Sequence, residues 1–472
     1  MCWCGATFEW PTTRPCITLR KSTRGVVCLA VISPGDWKRH DDAPAKIDLW
    51  LKSLAEMGES LAKLNIPLLV RAAETPDDGA GVVTQAARQT KADSVFANAE
   101  YEVNESRRDA AIAAACRDAG VKTEFFHDQV VLPPGDVRTK AGGPFSVFTP
   151  YKRAWLAEVE RRGGVAVLGK PRKQETTGIA SSRVPTLASF GYEPLPQSMT
   201  RPAGESAALW HFNTFCKDRL DRYQEDRDPP GIDGTSVLSP HLAVGAISPR
   251  TCIAAAAEEN GGKLGAGKAG PSTWISELVW REFYRHIVVH FPRVSMGRAF
   301  KPATDRLAWS YNERLFEAWK QGRTGYPIVD AGMRQLAATG WMHNRVRMIV
   351  AMFLSKDLFI DWRWGERHFM RTLADGDLAN NNGGWQWSAS TGTDSVPYFR
   401  VYNPIAQSRT HDSDGKYIRA WVPELAKVPL ADIHDPETIA GYKLDYPRPI
   451  VDRTKTRDRV VRAFKALSAA KT

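Results

Sequence analysis

The chain has 472 residues, 43% of them hydrophobic and 25% charged. That balance excludes a disordered or fibrous protein, and the length suits two to three domains rather than one core. Lys and Arg outnumber Asp and Glu by 64 to 53, a formal net charge of +11, so nucleic acid is the first partner class to consider.

In chain order, the first part alternates short β-branched runs with helical stretches. Residues 25–33, 66–70, 94–97 and 121–126 read as strands. Residues 46–64, 82–90 and 104–119 read as helices between them. This alternation predicts a Rossmann-like α/β domain with a parallel sheet over residues 1–128. Clusters of Pro and Gly then interrupt the pattern, and residues 129–200 are expected to form an inter-domain connector. Beyond Glu205 strands almost vanish. Helical periodicity over 207–223, 274–291 and 345–359 predicts an all-α domain over 201–472, closed by a basic tail with a short helix. No apolar run reaches the roughly 18 residues of a membrane helix. The seven Cys (Cys2, Cys4, Cys16, Cys28, Cys116, Cys216, Cys252) show no Cys-x-x-Cys spacing. No metal site or disulfide framework is therefore expected, and a reducing cytosol fits. Residues 1–10 lack the basic-then-apolar order of a secretion signal.

The densest chemistry is Asp375-Gly-Asp-Leu-Ala-Asn-Asn-Asn-Gly-Gly-Trp-Gln-Trp-Ser-Ala-Ser-Thr-Gly-Thr-Asp394, which reads as a loop. Gly lets backbone approach a ligand closely, amides and carboxylates bind a heteroaromatic edge or ribose, and Trp stacks or relays electrons. The bland alternative is a tight turn over a packed Trp pair. Gly234-Thr-Ser-Val-Leu-Ser239 places hydroxyls and backbone N–H groups ahead of a helix, as either a phosphate cradle or an N-cap at Ser239. Arg345 and Arg347 lie about 200° apart around a predicted helix and so face opposite ways, with Met348 on the side of Arg345. The alternative is surface arginines in salt bridges. Trp274, Glu277 and Trp280 recur every three residues as one stripe. Trp stripes ordinarily pack a core, and a Glu within one then needs a partner.

Together with Gly322-Arg-Thr-Gly-Tyr-Pro-Ile-Val-Asp330 and Trp341-Met-His-Asn-Arg-Val-Arg347, these segments resemble the DNA photolyase/cryptochrome family. Within it they are most similar to the bacterial class I enzymes that split cyclobutane pyrimidine dimers. The resemblance runs from about Val26 to the C-terminus. It implies a carbon–carbon lyase in which reduced anionic FAD absorbs light, lends an electron to a flipped-out dimer and recovers it. It assigns Tyr223, Thr235, Ser236, Val237, Leu238, Ser239, Trp274, Arg347, Asp375, Gly376, Asp377 and Asn381 to FAD. Asn381 would face the reactive flavin edge, and Asn there argues for repair rather than signalling. Trp385, Trp362 and Trp309 would pass electrons from the surface to the flavin. Glu277 would hydrogen-bond the dimer, and Trp280 and Trp387 would stack on it. Arg227, Arg281, Asn344, Arg345 and Met348 would face DNA, with binding that weakens as salt rises.

The antenna expected by resemblance is 5,10-methenyltetrahydrofolate held by His40, Asn104 and Glu105. A deazaflavin, no antenna, and plain helix N-terminal chemistry at Asn104 and Glu105 are the alternatives. Residues 1–24 match no family opening. The central first strand is therefore expected to be lost, with a weakened antenna domain, through divergence, a different start or a shifted frame. The resemblance implies a cytosolic monomer acting on damaged double- or single-stranded DNA. The rival readings are a cryptochrome-type photoreceptor, a (6-4) photoproduct photolyase, whose chemistry uses histidines near the lesion whereas His343 sits in a motif shared with the dimer enzymes, and a DNA-binding module without catalysis.

Overall fold

The computed structural model describes residues 1–4, 25–75 and 78–469. Cys16 and most of the atypical opening lie outside the described residues. Five parallel strands form one sheet: β1 Cys2–Cys4, β2 Cys28–Ile32, β3 Leu68–Ala72, β4 Ser94–Asn98 and β5 Lys122–Phe126, in the order β3-β2-β1-β4-β5. β2 is a near-continuous buried run, as a strand covered on both faces must be. The sheet lies among helices α1 Pro34–Arg39, α2 Pro44–Ala62, α3 Gly79–Gln89 and α4 Val103–Asp118. Val83, Ala86, Ala87, Ile112 and Cys116 of α3 and α4 pack with Leu29, Val95 and Ala97 of the sheet. The expected loss of the first strand is corrected. β1 pairs with β2 on one side and β4 on the other. The Met1 ammonium donates to Ser94 O at 2.7 Å, and Met1 O accepts from Phe96 N at 2.9 Å. A ladder is made by backbone groups, so an unfamiliar sequence can still supply the middle strand.

The chain divides into two compact units. The first holds Met1–Asp221, Ser236–Pro292 and Ala374–Asp377, and the second Arg222–Thr235, Arg293–Leu373 and Leu378–Thr472. Besides the sheet, the first unit contains α5 Phe148–Arg161, α6 Gly204–Asp218, α7 Pro249–Glu259 and α8 Ala269–His290. The stretch 129–200, read as a connector, thus carries a helix of its own. Pro150 in the first turn of α5 costs no hydrogen bond, and Phe148, Tyr151, Trp155 and Val159 bury one face. Those long-range apolar contacts were hidden by the local density of Pro and Gly. The buried Glu282 of α8 ties this region down. Its carboxylate accepts from Val131 N (2.8 Å), Leu132 N (2.9 Å) and Trp155 Nε1 (2.6 Å).

The second unit is helical: α9 Glu313–Lys320, α10 Pro327–Thr339, α11 Asn344–Met352, α12 Trp362–Thr372, α13 Leu378–Ala389, α14 Pro404–His411, α15 Lys416–Trp421 and α16 Arg453–Ala469. The helix expected over 345–359 breaks at a π-helical turn, Phe353–Asp357. Asp361 caps α12 through Arg363 N, and Asn403 caps α14 through Ile405 N. The core gathers Trp319, Trp362, Trp385, Phe353, Phe369 and Tyr417. The family-like Asp330 is a structural node here. Fully buried, it accepts from Thr324 N and Oγ1, Gly325 N and Tyr446 OH at 2.6–3.0 Å. Among the described residues no helix is long and apolar enough to cross a membrane, and no group of three or more His, Cys, Asp or Glu is arranged to hold a metal ion.

Glu282→Leu would strand three buried donors. It is expected to destabilise the protein by about 3–5 kcal/mol in urea unfolding, against about 1–2 kcal/mol for Trp155→Phe.

Candidate functional site

The largest departure from the sequence reading is in the Asp375–Asp394 segment. It reads as a loop, yet Leu378–Ala389 is the helix α13. Three Asn and two Gly in a row have poor helix propensity. Tertiary hydrogen bonds override it. Asn382 Nδ2 donates to Glu366 Oε1 (2.8 Å) and Asn381 Nδ2 to Glu366 O (2.9 Å). Gln386 Nε2 donates to Asn382 Oδ1 (2.8 Å), and Gln386 Oε1 accepts from Phe300 N (2.7 Å). One residue of α12, Glu366, therefore grips two consecutive asparagines of α13. Asn382 is 3% exposed and committed to this network, whereas Asn381 is half-buried. Glu366 was missed in the sequence because nothing local marks it. Burial pushes its carboxyl up to about 7, against the lowering effect of the Asn382 bond.

The three expected relay tryptophans are all in the second unit and buried, Trp309 at 6%, Trp362 at 0% and Trp385 at 2% exposure. None of their indole N–H groups has an acceptor. Trp385 meets Phe369 and Trp319 edge-on at 5.0 and 6.0 Å, and Trp309 lies 4.9 Å from Phe359. Gly365 makes room for Trp385, since a Cβ at that position would collide with the indole ring.

Also in the second unit, Arg345 and Arg347 leave α11 toward different partners. Arg345 Nη2 bonds Asp228 Oδ2 at 2.8 Å and its Nη1 lies 3.8 Å from Met348 Sδ. Arg347 Nε donates to Met342 O at 2.8 Å. Asn344 is exposed. His343 caps α11, its Nδ1 accepting from Arg345 N at 3.1 Å, and burial pushes its pKa down to about 4. Tyr223 is buried, with the Arg227 guanidinium 5.6 Å over its ring. Trp387 and Thr235 are half-buried.

In the first unit, α8 carries the Trp stripe, which runs out of the core. Trp274 is 3% exposed between Phe212 and Phe215, while Glu277 and Trp280 are half-buried. Trp280 stacks flat on Phe148, centroids 3.6 Å apart. Arg281 donates to the carbonyls of Gln129 (2.7 Å) and Leu242 (3.3 Å). Arg285, 2% exposed, pairs with Asp377 at 2.5 Å, beside the buried Asp375 and Gly376. Ser236, Val237, Leu238 and Ser239 lead into a five-residue helix. Its N-cap position is Leu238, which corrects the capping alternative for Ser239. Val237 sits at φ +49, a rare conformation for a β-branched residue, and Leu238 follows at φ −84, ψ −8. Such a left-handed and right-handed pair turns successive N–H groups into an anion-binding nest. The residues therefore suit a diphosphate-bearing cofactor.

At another corner of the first unit, His40 Nδ1 lies 3.3 Å from Glu105 Oε1, and Asn104 Nδ2 lies 3.3 Å from His40 Nε2. All three predicted antenna residues thus meet. His40 and Glu105 line a pocket at the C-terminal ends of β2 and β3, with Ser33, Trp37 and Trp50. Burial pushes Glu105 up to about 7, and the Glu100 charge adds to the effect.

A family model described as DNA photolyase matches residues 18–172, and one described as FAD binding domain of DNA photolyase matches residues 274–466. The chain is 43% identical to the deoxyribodipyrimidine photo-lyase of Vibrio cholerae over 93% of each. The chain belongs to the DNA photolyase family. Its fold matches a bacterial class III photolyase from Agrobacterium tumefaciens with a TM-score of 0.86 at 33% identity, covering 99% of this chain and 97% of that one. It also matches a Synechocystis cryptochrome, TM-score 0.87 at 25% identity over 98% of each. Photolyase and cryptochrome thus share this architecture, and the residues at the site must separate repair from signalling.

Glu366 gives the family site a pH signature. A carboxyl raised from 4.5 to about 7 adds stability that is complete below 4.5 and lost as pH rises through about 7. Glu366→Gln is expected to flatten the fall of Tm across that window and to stabilise the protein at mildly alkaline pH by about 1–3 kcal/mol, read by urea unfolding.

Proposed function

We propose that this chain repairs cyclobutane pyrimidine dimers in DNA with light, as a carbon–carbon lyase. The observation that carries the reading is on α8, where a half-buried carboxylate, Glu277, stands one turn from Trp280, an indole plane already stacked on Phe148. A flipped-out base pair needs an aromatic surface and a polar contact, and damaged bases cost least to extrude. Glu277 hydrogen-bonds the dimer. Trp280 stacks on it, and Trp387 is assigned the same role.

Bound reduced FAD supplies the light-driven electron that opens the dimer and takes it back, with no net redox change. By family resemblance, the residues that would hold FAD are Tyr223, Thr235, Ser236, Val237, Leu238, Ser239, Trp274, Arg347, Asp375, Gly376 and Asp377. Asn381, whose amide nitrogen donates to the Glu366 carbonyl, would face the reactive flavin edge. Trp385, Trp362 and Trp309 refill the electron supply.

Arg227, Asn344, Arg345 and Met348 face DNA, on a chain whose charge of +11 favours a polyanion. Arg281, which also donates to the carbonyls of Gln129 and Leu242, is assigned to the same DNA-facing set. His40, Asn104 and Glu105 suit the donor and acceptor edge of a pterin, which supports methenyltetrahydrofolate as antenna. The protein acts as a monomer in the cytosol.

The test is repair of a dimer-containing oligonucleotide with and without blue light. Repair only in the light, with Glu277→Ala lowering the yield at least several-fold while FAD absorbance per chain is kept, is the expected result. Dimers left intact under illumination by flavin-loaded protein would overturn the reading.

A further inference from the structure

We propose that Asp228 is a specificity-determining residue: its carboxylate stands in for a DNA phosphate on Arg345 and so raises the threshold for binding undamaged duplex. The inference rests on the repair reading above.

Asp228 follows Arg227 directly in sequence. Its Oδ2 lies 2.8 Å from Arg345 Nη2 and its Oδ1 lies 3.8 Å from Arg227 Nε. One acid therefore sits against two guanidinium groups that the repair reading gives to DNA. All three side chains reach solvent, at 37% exposure for Asp228, 18% for Arg345 and 22% for Arg227. The Arg345 fork is only partly used. Asp228 engages it through a single oxygen, the Met348 sulfur is a weak acceptor at 3.8 Å, and Nε has no acceptor. A guanidinium carries five donors in a flat fork, and a phosphate can take two of them side by side.

The other ionisable groups around the pair are His343 on α11 and His411 on α14, both pushed toward the neutral form by burial, with Arg347 adding positive charge. An ion pair at this exposure adds little to folding stability. A carboxylate there has a larger effect on binding. It opposes any phosphate that approaches Arg345 and is displaced only when other contacts, such as those to an extruded dimer, draw the strand in. That is discrimination by a repulsive element against the wrong partner. It matters because undamaged sites vastly outnumber lesions.

The experiment measures binding in the dark by fluorescence anisotropy across a salt series. The probes are one undamaged duplex and the same duplex with a single thymine dimer. The proteins are the wild type, Asp228→Asn, Arg345→Ala and the double variant. Asp228→Asn is expected to bind undamaged duplex about three- to tenfold tighter, with a slope of log K against log salt steeper by about 0.9. The gain on the dimer duplex is smaller, so discrimination falls. In the Arg345→Ala background the same substitution has little effect. Unchanged or weaker binding of undamaged duplex by Asp228→Asn, or a gain that persists without Arg345, would overturn the proposal. A wild type that binds both duplexes equally would instead overturn the repair reading itself.

Discussion

Glu366 holding Asn381 and Asn382 is the interaction on which the second unit's chemistry depends. Without it, Leu378–Ala389 has no reason to be a helix, because its Asn and Gly residues favour caps and turns. With it, two neighbouring amides are pinned to one residue of α12, and Trp385 is carried into the core against Phe369 and Trp319. The arrangement divides labour between adjacent positions. Asn382 satisfies the network inside, and Asn381 stays half-buried. Burying Glu366 in return raises its pKa, a cost placed beside a proposed cofactor site, where polar groups are ordinarily found in such positions.

The first unit applies the same logic through α8. Its inner face is fixed by Glu282, which collects three donors, and by Arg285 on Asp377. Its outer face is left to Glu277 and Trp280. A helix so heavily tied on one side can present a carboxylate and an indole on the other with little freedom, which is what electron transfer over a short gap requires. The left-handed Val237 fits the same pattern. A β-branched residue in that conformation costs roughly 1–3 kcal/mol and persists only where its surroundings enforce it.

Much of this was legible in the sequence. The alternation of strands and helices gave the parallel sheet, and the spacing of Arg345 and Arg347 gave their divergence. The Trp-Glu-Trp stripe gave the helix α8. What escaped was set by distant contacts. Glu366, Glu282 and Gly365 carry no local signal, since each matters only through a partner elsewhere in its unit. The helix at Phe148–Arg161 was masked by neighbouring Pro and Gly. The first strand was discounted because its side chains are unfamiliar, although strand pairing is a property of the backbone. The polar run at 380–384 was read by propensity, which tertiary hydrogen bonds overruled.

Flavin occupancy reports most directly on this network. Absorbance at the flavin band per mole of purified chain should fall sharply in Asn382→Ala, whose side chain is expected to touch no cofactor, because α13 loses its anchor to Glu366. Full occupancy in that variant, with an unaltered spectrum, would contradict the claim that this network builds the site.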